Sequence, residues 1–303
     1  MSDSPDESHV PVLLDDVLSL LQPAPGGRYI DCTVGSAGHA AALLEASAPG
    51  GRLLALDADP AAIEVSRRRL APYGERAVLA QVSFDRLGQT APLLGFHAVQ
   101  GILFDLGLSS RQLASSGRGF AFRGSEPLDM RFDPTVGATA ADLLNQRSES
   151  ELEAILRDFG EERQSRRIAR AICRRRARQP LESTDDLVAA VYSAVGPRRG
   201  GIHPATRTFQ ALRIAVNGEL EALQRGLEQA VRLLAANGRI AVIAFHSLED
   251  RIVKRFLIDR SRADAAEEKL SVLTRKPIVA SPDERNRNPH SRSAKLRVAE
   301  RAD

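Results

Sequence analysis

Tyr29-Ile30-Asp31-Cys32-Thr33-Val34-Gly35-Ser36-Ala37-Gly38-His39 reads as a short buried strand, a tight glycine-containing turn and the start of a helix. A second apolar run, Arg52-Leu53-Leu54-Ala55-Leu56, ends in Asp57. A carboxylate at such a strand tip can accept hydrogen bonds from both hydroxyls of a ribose, and glycines let backbone approach a ligand closely. Phe84 follows a third run, Ala77-Val78-Leu79-Ala80, and offers a ring face to an adenine. Asp105 closes a fourth, Val99 to Phe104, and would sit beside the reactive part of a cofactor. The same turn without a ligand is an ordinary strand-to-helix connection. Gly35 and Gly38 stand alone where a dinucleotide cradle needs G-x-G-x-x-G, which leaves less room for a pyrophosphate. S-adenosylmethionine, with adenosine, a ribose diol and an amino-acid tail, fits that turn better.

The elements that must position these groups alternate. A helix through Leu21 is stopped by Pro23 and Pro25-Gly26-Gly27, the helix after Gly38 carries Ala40, Leu43 and Leu44 on one face, and Pro60 opens the next. Strands alternating with helices at this spacing predict a mostly parallel sheet with right-handed crossovers and a ligand crevice beyond its carboxyl ends. Leu106 to Pro134 reads as a long loop in which Phe120, Phe122 and Phe132 stand among arginines. Those rings either stack a nucleic-acid base or close a small apolar cluster of their own. From Thr139 the pattern is helical. Ser148-Glu149-Ser150-Glu151 is a capping box for a stripe of Leu152, Ile155, Leu156 and Phe159 that Gly160 ends. A basic helix spans Arg163 to Arg178, Thr184 caps the next, and the basic turn Pro197 to Pro204 leads into a helix with Arg207, Phe209 and Arg213. After Asn217-Gly218 a long helix reaches about Ala236, and the strand Arg239 to Phe245 resumes the sheet. His246, just past it, either faces substrate or caps the following helix. Ser261 to Glu268 reads as a flexible link, and a last strand lies near Val298.

Composition sets bounds. With 43% hydrophobic and 27% charged residues, the 303-residue chain has the balance of a soluble globular protein of one large domain or two. A polar, acidic start without an apolar core predicts no secretory signal. No apolar run suggests a membrane span, and Cys32 and Cys173 with no clustered His argue against a disulfide framework or a metal. These features point to reducing cytosol. The net charge of +3 is uneven: Glu161 to Arg213 holds twelve arginines against five acids, +7 locally, leaving −4 elsewhere. That face either meets a polyanion such as RNA or is simply solvated.

Phe104-Asp105-Leu106-Gly107-Leu108-Ser109-Ser110, Pro127-Leu128-Asp129-Met130-Arg131 and Phe245-His246-Ser247-Leu248-Glu249-Asp250-Arg251 resemble strings of the ribosomal RNA small subunit methyltransferase H family. The resemblance runs from His9-Val10-Pro11-Val12-Leu13 to Asn288-Pro289-His290-Ser291-Arg292. It implies a class I S-adenosylmethionine-dependent methyltransferase core, α/β and Rossmann-like, with an inserted all-helical domain. The expected division is 1–112 and 214–303 for the core and 113–213 for the insertion. The implied reaction is N4-methylation of a cytidine in the decoding centre (P-site region) of 16S rRNA, with the small ribosomal subunit as partner and the cytoplasm as location. Carried across, the cofactor contacts fall on Ala37, Gly38, His39, Asp57, Phe84, Asp105 and Gln112, the last from the resemblance alone. Asp105 is the expected catalytic group, with Ser109, Ser110 or His246 orienting the base. The chain departs from the family at Ser36-Ala37, Ala58 and Arg111, where Arg-Gly, a basic or polar residue and Pro are usual. Two rivals remain: an assembly factor that keeps the fold and RNA face without catalysis, and a nucleotide-dependent oxidoreductase, which the incomplete glycine pattern disfavours. Oligomeric state stays open.

Overall fold

The structure, a computed structural model, describes residues 11–115, 117–122, 124–197, 203–263 and 269–303. The basic stretch 198–202, the leader including His9 and Val10, and 264–268 of the expected link lie outside the described residues. The chain divides into two units, Met1–Gly107 with Leu220–Asp303 and, between them in sequence, Leu108–Glu219.

In the first unit, β1 (Arg28–Asp31), β2 (Arg52–Asp57), β3 (Ala77–Gln81), β4 (Val99–Asp105), β5 (Leu234–Ala244), β6 (Leu270–Val272) and β7 (Lys295–Arg301) form one sheet in the order β3-β2-β1-β4-β5-β7-β6. The first five run parallel, and β7 is antiparallel to both β5 and β6. Successive residues of a strand face opposite sides, so near-continuous apolar runs bury both faces. Ile30, Leu54, Leu56, Ile102 and Phe104 pack on one side with Leu223, Leu227 and Val231. Tyr29, Leu53, Ala55 and Leu103 pack on the other with Val17, Leu43, Leu44 and Ile63. The covering helices of these layers include α1 (Leu14–Leu21), α2 (Gly38–Ala46), α3 (Pro60–Leu70) and α4 (Leu87–Leu93). The strand order turns back between β1 and β4, so their carboxyl ends open the crevice where open α/β sheets take ligands.

The second unit is helical: α5 (Ser110–Ser115), α6 (Ala140–Gln146), α7 (Glu149–Gly160), α8 (Ser165–Arg176), α9 (Thr184–Val195) and α10 (Thr206–Asn217). Its core joins Leu152, Leu156, Ile168, Ile172, Leu187, Val191, Phe209 and Leu212. The chain returns through α11 (Glu219–Leu233), and α12 (Ser247–Ser261) and α13 (Pro282–Arg287) complete the first unit. No helix among the described residues is long and apolar enough to cross a membrane.

Several expectations are corrected. The unit boundary falls at Leu108 and Glu219 where 113 and 213 were expected, because α10 continues unbroken through Arg213 and that residue's guanidinium pairs with Glu219 at 2.8 Å. Strand β5 starts at Leu234, ahead of Gly238, with Asn237 at φ 58° and a register shift opposite Val99 and Gly101. Leu233, Leu234 and Ala235 extend the apolar spacing of α11 and so read as helix. The cap of α9 is Ser183, whose hydroxyl accepts from the Asp186 N–H; Thr184 is buried and its hydroxyl bonds to the Gly124 carbonyl. Gly160 belongs to α7, and Glu161 takes the left-handed turn at φ 47°. Gly160 is needed for clearance, since a Cβ there would lie 2.7 Å from the Arg207 carbonyl oxygen. The loop aromatics form an internal cluster: Phe120 stacks on Phe132 at 5.8 Å, and Phe122 lies parallel to His203 at 4.2 Å.

Candidate functional site

The turn after β1 is built by backbone and held by its neighbours. Gly35 and Ala37 both take left-handed φ, 51° and 62°, and Ala37 N–H donates to the Val34 carbonyl at 2.7 Å. The Ser66 hydroxyl donates to the Gly35 carbonyl (3.0 Å) and Arg69 to that of Ser36 (3.1 Å), so α3 fixes the turn from outside. Gly38 opens α2 for a reason the sequence does not display: a Cβ there would meet the Pro11 ring at 2.4 Å. At the tip of β2, the Asp57 carboxylate accepts from Gly35 N–H (Oδ2, 3.0 Å) and Asp59 N–H (Oδ1, 2.9 Å). Each oxygen keeps lone-pair capacity for a further donor. Burial raises Asp57 more than these bonds lower it, leaving its pKa at about 6.

Asp105, at the tip of β4, meets β1 through two residues that sequence reasoning did not single out. Its backbone N–H donates to the Thr33 hydroxyl at 2.7 Å, and the charge of Asp31 acts on its carboxyl. Asp31 is buried (1% exposed), accepts from Thr33 N–H at 3.1 Å, and is raised by burial to about 7. Burial first, then the charges of Asp31 and Glu249, push Asp105 well above the usual carboxylate range. Oxygen Oδ2 of Asp105 lies 3.4 Å from His39 Nδ1, while Oδ1 is shut off from solvent with no hydrogen-bond partner among the described residues. The other ring nitrogen of His39 meets the Val12 carbonyl at 3.0 Å. His39 thus tethers the segment Pro11–Leu13 to the tip of β4, and Leu13 N–H is itself held by Glu284 at 2.7 Å. An acid closing an apolar strand was the available signal for Asp31, as it was for Asp57 and Asp105.

Phe84 lies just past β3 in a 3₁₀ turn, Phe84–Arg86, half-buried, with its ring edge-on to Phe104 at 5.5 Å. At the tip of β5, Glu249 Oε2 accepts from the backbone N–H groups of Phe245 (2.8 Å) and His246 (3.2 Å). His246 caps α12, its Nδ1 accepting from Glu249 N–H at 3.4 Å, so of its two open roles the cap is the one observed. Its Nε2 lies 3.1 Å from Glu249 Oε1, out of line for a good hydrogen bond. The structure therefore gathers Ala37, Gly38, His39, Asp57, Phe84 and Asp105 at the strand ends of the first unit. Gln112 belongs to the second unit. Its side-chain carbonyl accepts from Ser109 N–H (3.0 Å) and its own N–H donates to the Ser109 hydroxyl (3.2 Å), which caps α5.

Four acids, Asp31, Asp57, Asp105 and Glu249, thus converge on strand tips. Three carry raised pKa values from burial, a site short of positive charge. An unpartnered buried oxygen on Asp105 and two ribose-ready oxygens on Asp57 suit a cationic nucleoside.

The model of the MraW methylase family matches residues 6–302. Two relatives, both ribosomal RNA small subunit methyltransferase H, come from Thermomicrobium roseum and Heliobacterium modesticaldum. The first is 50% identical over 99% of this chain and 96% of its own, the second 48% over 97% and 98%. The same-named protein of Geobacter sulfurreducens is 48% identical over 97% of this chain and 99% of its own. With its doubly wound sheet, its carboxylate-tipped strands and a family match over nearly every residue, the chain belongs to the MraW methylase family and is a methyltransferase of the class I fold.

Proposed function

We propose that this protein transfers a methyl group from S-adenosylmethionine to N4 of a cytidine in the decoding centre, the P-site region, of 16S rRNA. Its partner in this reading is the small ribosomal subunit and its location the cytoplasm. The reading rests on the names of relatives that match the chain end to end and on one observation, the unpartnered buried Oδ1 of Asp105 at the tip of β4. When bound, S-adenosylmethionine supplies an electrophilic methyl on a cationic sulfur that leaves as a neutral thioether. Asp57 accepts hydrogen bonds from the ribose hydroxyls, Phe84 packs against the adenine, and the Ala37-Gly38-His39 turn completes the contacts of the first unit. The amine at cytosine N4 is a poor nucleophile because its lone pair is delocalised into the ring. The Asp105 carboxylate accepts a hydrogen bond from that amine, which lets nitrogen pyramidalise, and then takes the proton that N4 loses. Ionised Asp105 is required, and a cation beside it lowers the pKa that burial and its acidic neighbours raise. The target base must leave its stack to reach the crevice.

Labelled S-adenosylmethionine and small subunits lacking the modification test the reading. N4-methylated cytidine in the decoding region, found by nucleoside mass spectrometry, supports it; transfer to another base or none refutes it. Ala37 favours a second reading, a non-catalytic assembly factor: its methyl group sits at φ 62° where the family carries glycine. Measurable binding of S-adenosylmethionine by calorimetry counts against that reading.

A further inference from the structure

Helix α8 has two faces of opposite character. Ile168, Ala169, Ala171 and Ile172 are buried in the core of the second unit. Arg163, just ahead of the helix, then Arg166, Arg167, Arg170, Arg174 and, just beyond it, Arg178 are all exposed. At 100° per residue the four within the helix, Arg166, Arg167, Arg170 and Arg174, fall within about a third of its circumference, opposite the buried stripe. Arg175 and Arg176 lie toward the other side of the helix and are used internally, Arg175 on Asp186 at 2.6 Å and Arg176 on the carbonyls of Leu144 and Arg147. On the crest itself, Arg170 reaches Glu149 at 3.5 Å with both side chains about half exposed, and Arg167 reaches the Gln164 side chain at 2.8 Å. Arg163, Arg166, Arg174 and Arg178 have no ion pair with any described residue.

This arrangement costs the folded protein stability. Arg166, Arg170 and Arg174 repeat every fourth residue, and like charges at that spacing repel. Arg166 and Arg167 sit in a first turn that carries no acid, against the helix dipole. Packing asks nothing of these side chains. Their guanidinium groups are planar forks that grip phosphate oxygens in pairs, and three of them recur along about 12 Å of helix.

We propose that this crest is a phosphate track: it grips the sugar–phosphate backbone of the RNA substrate and supplies affinity and register without reading sequence. The inference rests on the reading of RNA as the substrate class. Its test is the triple substitution R166Q/R170Q/R174Q in the full chain, compared with R67Q/R68Q, which removes two arginines of α3 paired to Glu64. The probe is unmodified 16S rRNA transcript, titrated over a range of salt, with S-adenosylmethionine binding and melting temperature measured in parallel. Removing three phosphate contacts lowers the slope of log affinity against log salt by about 2, at roughly 0.7 per contact on single-stranded RNA, and weakens binding at least tenfold at low salt. Cofactor binding stays unchanged, and the melting temperature does not fall, since repulsion is relieved. The R67Q/R68Q protein matches wild type. An unchanged salt slope and affinity in the triple variant overturns the track, including the case in which the crest instead holds an acidic protein. If the triple variant loses slope and affinity as expected while wild type methylates no RNA, the track stands and the proposed reaction falls.

Discussion

Replacing Asp31 by Asn tests the electrostatics of the strand tips without touching the proposed substrate contacts. Asp31 is 1% exposed and accepts one backbone bond, from Thr33 at 3.1 Å; Asn keeps the size and that acceptor. Its folded pKa of about 7 stands above the ordinary 3.8. The folded state therefore holds a proton that the unfolded chain has released. Stability from this group is full below the unfolded value and is lost as pH rises through the folded one. A shift of about three units at about 1.4 kcal/mol each gives about 4 kcal/mol, or about 2–4 once coupling to Asp57 and Asp105 and water penetration are discounted. The Asn variant is thus expected to match wild type near pH 4 and to exceed it by about 2–4 kcal/mol at pH 8. The assay is urea denaturation read by hydrogen exchange of β1 and β4 peptides, which reports the first unit separately from the helical one. A variant destabilised by the same amount at every pH would refute the reasoning, because Asp31 would then act as a packing group alone.

Three further outcomes follow from the same geometry. Asp57→Ala removes the ribose acceptor and leaves Gly35 and Asp59 N–H groups without it. It should weaken S-adenosylmethionine binding by about 10- to 100-fold in calorimetry, on the scale of one or two charged hydrogen bonds. Asp250 pairs with Lys295 at 3.1 Å and with Arg297 at 2.7 Å, and Arg297 is only 7% exposed. Asp250→Ala strands that guanidinium and should cost about 3–5 kcal/mol in chemical denaturation. Gly38→Ala drives a methyl group into Pro11. Limited proteolysis should then cleave near residue 11 faster than in wild type, and equal rates would show that the segment is not seated by that contact.

The sheet was legible because its strands are apolar runs set off by glycine, proline and polar residues, two of them closing on the acids Asp57 and Asp105. The capping box at Ser148 was equally readable, and the structure has both of its bonds. Where the reading slipped, tertiary contacts overrode local pattern. Leu234 continues a helical spacing yet pairs with Val99. Leu270–Val272 is too short to stand out from its surroundings. Glycines at 38 and 160 also give clearance to Pro11 and Arg207, and neither neighbour can be seen from sequence distance. The tie from Val12 through His39 to Asp105 joins three separate stretches, so no window of sequence contains it.

The central claim is that acids at the strand tips, Asp105 foremost, hold a cationic methyl donor. Calorimetric titration of wild type with S-adenosylmethionine and with its neutral thioether product, from pH 5.5 to 8, tests it most directly. Burial and the charges of Asp31 and Glu249 favour the neutral carboxyl of Asp105 and a cation beside it favours the ionised one, so S-adenosylmethionine should release protons on binding and tighten as pH rises, by at most about tenfold per pH unit. The thioether should show a shallower dependence, and Asp105→Asn should remove the difference. Equal, flat profiles for both ligands in wild type would contradict the account.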